Sequence, residues 1–224
     1  MATSLEQIAA GIIERLTTVS HVRDRALGDC RQVVRWSANS VRASHRGDFD
    51  ESARELEEAR SLAQSVFAYT RDIPSVYWAG YVQDAMKEYA EASITNAIIR
   101  NRAIPTPSDL GVEDAAYLNA LAEAASELRR DTLDLLRGDE LDRATDLLAL
   151  MDEIYAVLVS IDFPDAITGG LRRTTDSLRA VLERTRGDLT VTINQRRLER
   201  AVRSMQGSLG LPPSELSQQG DPEA

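Results

Sequence analysis

Apolar residues recur every three to four positions along almost the whole chain, while glycine and proline gather in the gaps between such stretches. That pattern selects amphipathic helices packed on one another. Helices are expected at about residues 4–17, 22–45, 50–70, 75–101, 112–137, 139–161, 164–187 and 190–206. The breaks between them carry turn signals: "HRGDFD" with Gly47, "RDIPS" with Pro74, "IPTPSDLG" with Pro105 and Pro107, "LRGDE" with Gly138, and "DFPDAITGG" near Pro164. Asp48, Ser75 and Asp139 stand where N-caps are needed. The stretch "LTVTI" (189–193) is rich in β-branched residues, but a lone strand has nothing to pair with, so helix is expected there too.

Composition agrees. The 224 residues are 43% hydrophobic but only 5% aromatic, a profile in which Ala and Leu fill long helices. The length suits one domain with a sizeable core, and no internal repeat or linker divides it. The expected organisation is a single all-α bundle over residues 1–207. A polar, proline-punctuated tail, "SLGLPPSELSQQGDPEA", is expected to be disordered over 208–224.

The formal net charge is −10, and of 26 basic residues only Lys87 is lysine. Excess acid keeps a protein soluble at high salt, so a halophilic setting is expected. An acidic chain argues against non-specific nucleic-acid binding. In molar salt that objection weakens, because the Debye length falls to roughly 3 Å and only local contacts count. Cys30 is the one cysteine; it has no internal partner and reads as an inert thiol in a cytoplasmic protein. No apolar run approaches the length of a membrane span, and "MATSLEQIAAGIIERL" meets Glu6 and Glu14 too early for a signal peptide. No membrane association and no small-molecule cofactor are expected.

The stretch "EYAEASITNAIIRNR" (88–102) concentrates the chemistry. Glu88 and Glu91 lie about 60° apart on a helical wheel, so their carboxylates face one direction. Tyr81, Ala85, Ala92 and Ile99 flank them on one side, Ile94 and Ile98 on the other, and Val82, Met86, Tyr89, Ala90 and Ala97 fill most of the remainder. A helix apolar nearly all round is a buried one, and a buried carboxylate needs a cation. In "YLNALAEAASELRRDTLDLL", Glu123 and Glu127 stack four apart behind Ala116 and Ala120, which are small enough to admit another helix closely. Arg130 shares that face, so a local Glu127–Arg130 ion pair is one outcome. The other is an oxygen-rich cluster of all four carboxylates, suited to a hard cation such as Mg²⁺ or Mn²⁺, which can activate water against a phosphodiester.

Other catalytic devices are missing. His21 and His45 are the only histidines, and neither follows a glutamate by three as in di-iron bundles. There is no glycine-rich phosphate loop, no GxSxG elbow and no zinc spacing. His45, in "SHRGD" at a helix end, reads as a capping or dipole-matched residue.

Three blocks in order carry a resemblance: "RWSANSVRASHRGDFDESARELEEA", "KEYAEASITNAIIRNRAIP" and "GVEDAAYLNALAEAASELRR". Over roughly residues 20–190 the sequence resembles the translin superfamily, closest to its translin-associated factor X branch and of archaeal type. The first block is similar to the family's helical pair with a His-Arg-Gly-Asp turn. The second is similar to the branch's Glu-Tyr-x-Glu-Ala helix, and the third to the Asp-Tyr-Leu…Gly-Glu-Leu-x-Arg helix.

The resemblance implies an all-α fold of about seven helices that assembles into a hollow homo-oligomer binding single-stranded RNA or DNA. For the factor X branch it implies a Mg²⁺-dependent endoribonuclease with Glu88, Glu91, Glu123 and Glu127 as catalytic and metal-holding residues. Arg100, Arg102, Arg129 and Arg130 fall at positions often basic in the branch and would hold phosphates. Two departures stand out: Glu123 replaces the usual aspartate, and Ser126 replaces the glycine before the last acid. The competing reading is a binding shell without cleavage, its carboxylates satisfied by arginine.

Overall fold

A computed structural model describes residues 4–208; of the tail expected over 208–224, Ser208 is still helical and residues 209–224 lie outside the described residues. Among the described residues the structure is all-helical, as the periodicity requires. Six long helices are α1 Leu5–His45, α2 Phe49–Thr70, α4 Gly80–Ile99, α6 Asp114–Arg137, α7 Leu141–Val159 and α9 Leu171–Ser208. Three single turns join them: α3 Pro74–Tyr77, α5 Pro107–Leu110 and α8 Asp165–Thr168.

Two expected breaks are absent. The segments 4–17 and 22–45 are one helix, and so are 164–187 and 190–206 from Leu171 onward. Threonine explains both fusions. Thr17 and Thr18 hydroxyls donate to the carbonyls of Ile13 and Glu14 at 2.8 and 3.1 Å. Thr190 and Thr192 donate to Arg186 and Asp188 at 2.7 and 3.0 Å. Back-bonding of this kind lets β-branched residues continue a helix without losing a polar partner.

The cap expectations divide. Asp48 caps α2, accepting from the Glu51 N–H at 3.0 Å. Ser75 is not a cap: α3 opens on Ile73 with Pro74 in its first turn, where a missing N–H costs nothing. Asp139 is not a cap either. It takes a left-handed φ of 64° in the turn, and Glu140 precedes α7.

α4 is the central element. It packs against α1 and α2 on one side and α6 on the other, while α6 in turn meets α7 and α9. Met86, Tyr89 and Ile94 are fully buried on it, each worth roughly 1.5–3 kcal/mol of apolar burial. Ala116, Ala120 and Ala124 of α6 are buried as well, and their small side chains allow the close approach that the sequence suggested.

Polar networks fix the register. The Asn96 side-chain oxygen accepts from Ser44 and Ser52 hydroxyls at 2.8 and 2.7 Å, and its amide donates to Ser40 at 2.9 Å. This buried knot joins α1, α2 and α4. Asn119 does the same on the far side, donating to the Thr168 carbonyl at 2.8 Å and accepting from Thr174 at 2.6 Å. Cys30 is buried and free, and burial pushes its thiol up to about 11, the inert state expected. No described helix is long and apolar enough to cross a membrane.

Candidate functional site

Glu88 and Glu91 project from the middle of α4, and Glu123 from α6 faces them. One carboxylate oxygen of each lies within 4.8 Å of the other two, and all three residues are half-buried. The spacing on α4 sets the first pair side by side; the alanine face of α6 brings the third across. Glu127 lies one turn further along α6. It lines a cleft of about 260 Å³ together with Glu88, Glu91, Ser37, Arg42, His45 and Arg130.

Glu127 does not form the local pair with Arg130. Its Oε2 is held instead by His45 Nε2 at 3.1 Å, and His45 Nδ1 meets Asp131 Oδ1 at 3.2 Å. The His45 ring is 1% exposed. Hydrogen bonds to Asp131 and Glu127 raise it to about 9, so at neutral pH it is an imidazolium donating from both nitrogens. His45 is therefore neither a helix cap nor a base. It orients Glu127, and the same bond draws the Glu127 carboxyl below its ordinary range.

The cation on the other side is Lys87. Its ammonium lies 3.1 Å from Glu88 Oε1 and in ion-pair contact with Glu123. Burial works against its charge, but Glu123 and Glu88 more than offset this and the group is held above its usual value. Glu91 is left out of both pairings. Burial first, then the charges of Glu88 and Glu123, push its carboxyl up to about 8.

Charge balance shows whether the residues suit a divalent ion. Among the described residues only Lys87 and His45 form ion pairs with Glu88, Glu91, Glu123, Glu127 and Asp131, while Arg42 and Arg130 line the cleft without pairing to any of the five, so the acids outnumber their paired cations. The donors are all carboxylate oxygens, the ligand type of Mg²⁺ and Mn²⁺. The Ser37 hydroxyl, buried beside the cleft, and Asp131 Oδ2 have no hydrogen-bond partner among the described residues. The donor set fits a hard cation.

The arginines are distributed. Arg130 is exposed, with no ion-pair partner among the described residues, and lines both the acidic cleft and a groove of about 910 Å³ between α6 and α9. Arg129 is engaged, donating to Thr185 Oγ1 at 3.1 Å and to Asp188 at 2.8 Å. Arg100 ends α4 with its guanidinium 5.5 Å from the centre of the Phe49 ring. Arg100 and Arg102 line a separate cleft with Tyr89, Ser93 and Asn96, which shares no residue with the acidic one. Sequence reasoning passed over Lys87 and Asp131; it placed His45 as a dipole-matched residue at a helix end, which its position in the last turn of α1 agrees with, but did not foresee its pairing with Glu127 and Asp131. The one usable signal was that the chain's only lysine immediately precedes Glu88.

No protein-family model matches the chain. An uncharacterized protein of Methanocaldococcus jannaschii is 26% identical over 200 residues, covering 87% of each chain. The crystal structure of AfC3PO is 32% identical with a TM-score of 0.78, over 84% of this chain and 98% of that one. The complex of AfC3PO with duplex RNA gives 32% identity and a TM-score of 0.79, over 84% of this chain and 97% of that one. Apo-NeC3PO, at 18% identity and a TM-score of 0.76 over 85% of this chain and 100% of that one, shares the fold. With about a third of the residues identical along nearly the full length of AfC3PO and the same fold, the chain belongs to the translin superfamily, among the C3PO-type proteins.

Proposed function

We propose that this protein binds RNA within a hollow homo-oligomer and cleaves single-stranded RNA there as a Mg²⁺-dependent endoribonuclease. The observation that carries the reading is the convergence of Glu88, Glu91 and Glu123 within 4.8 Å beside a cleft that Glu127 also lines. The AfC3PO complex with duplex RNA supports a nucleic-acid partner. Exposed apolar side chains support assembly: Leu5, Ile8, Ile12 and Leu16 lie along the start of α1, and Val191, Leu198, Val202 and Met205 along the end of α9. Each set forms a stripe at helical spacing, of the kind subunit contacts cover.

Glu88, Glu91, Glu123 and Glu127 would hold the ion. When bound, Mg²⁺ supplies positive charge to the phosphodiester oxygens and acidity to water. The chain's own residues do the rest. His45 holds Glu127 in one rotamer, and Asp131 holds His45. Arg130 and Arg42, on the cleft wall, are placed to take phosphate oxygens through charge-assisted hydrogen bonds. Once a bound cation offsets the charges of Glu88 and Glu123, Glu91, which has no fixed cation of its own, would be the carboxylate best suited to accept a proton from the attacking water.

One observation favours a second reading, a binding shell without cleavage. Lys87 already compensates Glu88 and Glu123, so the cluster is partly satisfied without metal. The deciding assay uses labelled single-stranded and duplex RNA with Mg²⁺ or chelator, at low and molar salt. Cleavage that requires Mg²⁺ and is lost in Glu91→Ala is expected. RNA binding without cleavage at any salt would leave the shell alone.

A further inference from the structure

We propose that Lys87 is a built-in counter-ion that a divalent cation must displace, so that this residue sets how tightly the site holds its metal. The inference rests on the reading of the acidic cluster as a metal centre. The ammonium bridges two helices, taking Glu88 from its own and Glu123 from α6, and both belong to the oxygen trio within 4.8 Å. An ion held by the same Glu88 oxygen would lie within roughly 5 Å of Nζ, given metal–oxygen distances near 2 Å. At that range two cations in a half-buried pocket repel strongly. They also compete for lone pairs, since each oxygen turned to the ammonium is turned from the ion.

The choice of residue fits a displaceable ligand. Every other Lys/Arg position in the chain is arginine. Arginine would clamp two carboxylates through a rigid fork, whereas lysine is a point charge on a flexible stem. The Lys87 side chain is 20% exposed, so an open route to solvent exists. In the metal-free chain the ammonium holds α4 and α6 together where bare carboxylates would repel. When metal arrives, it swings outward.

The test is Mn²⁺ binding by calorimetry to the full chain and to the variants Lys87→Gln and Lys87→Arg. Lys87→Gln should bind Mn²⁺ about tenfold more tightly, the scale of a typical coupling between two sites, and Lys87→Arg no more tightly than wild type. Without metal, Lys87→Gln should melt at a lower temperature than wild type and gain more on adding Mn²⁺. Equal or weaker Mn²⁺ binding by Lys87→Gln overturns the inference while leaving the metal centre standing. Absence of Mn²⁺ binding in both folded proteins removes the metal centre and this inference with it. A second measurement needs no variant. Lys87 is the only side-chain amine, so acetylation of the native wild type, read on its peptide by mass spectrometry, follows this one group. Saturating Mn²⁺ should speed that labelling several-fold over chelator; an unchanged or slower rate refutes displacement.

Discussion

His45 at the end of α1 and Glu127 on α6 are joined at 3.1 Å across 82 positions of sequence. The ring also holds Asp131, so one buried imidazolium ties two acids of α6 to the first helix. A structural fastening and a site-shaping contact are thus the same bond.

Removing that ring should be costly. His45→Ala leaves Asp131 and Glu127 without their shared donor, and Asp131 already has one buried oxygen unpartnered. The expected loss is about 3 kcal/mol, the scale of breaking a buried charged pair from one side. Urea unfolding of the metal-free chain checks it; a loss below about 0.5 kcal/mol, the range of an ordinary surface change, would deny His45 its role.

The pH dependence of the metal-free chain follows from three shifts. His45 is raised to about 9 from 6.5, so its contribution is complete below 6.5 and disappears as pH rises through 9. Glu91 is raised to about 8 from 4.5; between those values the native state keeps a proton the unfolded chain has released, so stability falls as pH rises. Glu127 is lowered, so its contribution is present above 4.5 and fades as pH drops through the lowered value. Thermal melts should therefore show falling midpoints from about pH 6 to pH 9. Glu91→Gln should flatten the slope up to about pH 8 and His45→Gln the remainder. Slopes identical to wild type in both variants would contradict these assignments.

Asn96 offers a test remote from the acids. Its side chain is fully engaged by Ser40, Ser44 and Ser52. Asn96→Ala removes the hub of this knot but leaves Ser40 and Ser44 in contact with Ser52 at 3.1 and 2.8 Å, so a loss of about 1–3 kcal/mol is expected from the hydrogen bonds removed. Denaturant unfolding measures this, and a near-neutral result would mean that the serines repartner without cost.

Arg129 and Arg130 are adjacent but predicted to behave differently. Arg130 is exposed and has no ion-pair partner among the described residues, so Arg130→Ala should weaken RNA binding and reduce the salt slope by about 0.7–0.9. Arg129 is already bound to Thr185 and Asp188. Arg129→Ala should lower stability by up to about 1 kcal/mol and leave the salt slope unchanged. Filter binding across a salt series separates the two, and an unchanged slope for Arg130→Ala would place phosphate contacts elsewhere.

Much of this architecture could be read from the chain because helical periodicity is local. The burial of α4 followed from apolar residues surrounding Glu88 and Glu91, and the Asp48 cap from an acid beside a turn glycine. The breaks expected near residues 18–21 and 188–189 failed, since threonine can serve a helix as readily as end it. The separate status of Arg100 and Arg102 was likewise hidden, because their cleft is formed by α2 and α4 together.

What the sequence determined by itself was the all-helical fold and which carboxylates share a helical face, because a spacing of three or four residues fixes direction around one axis. Only the tertiary structure decided which charges meet across helices: Lys87 with Glu123, and His45 with Glu127 and Asp131. Those meetings depend on the rotation and register with which one helix packs on another, and these are set by alanine faces and buried serine–asparagine contacts between helices, which no spacing along a single helix encodes.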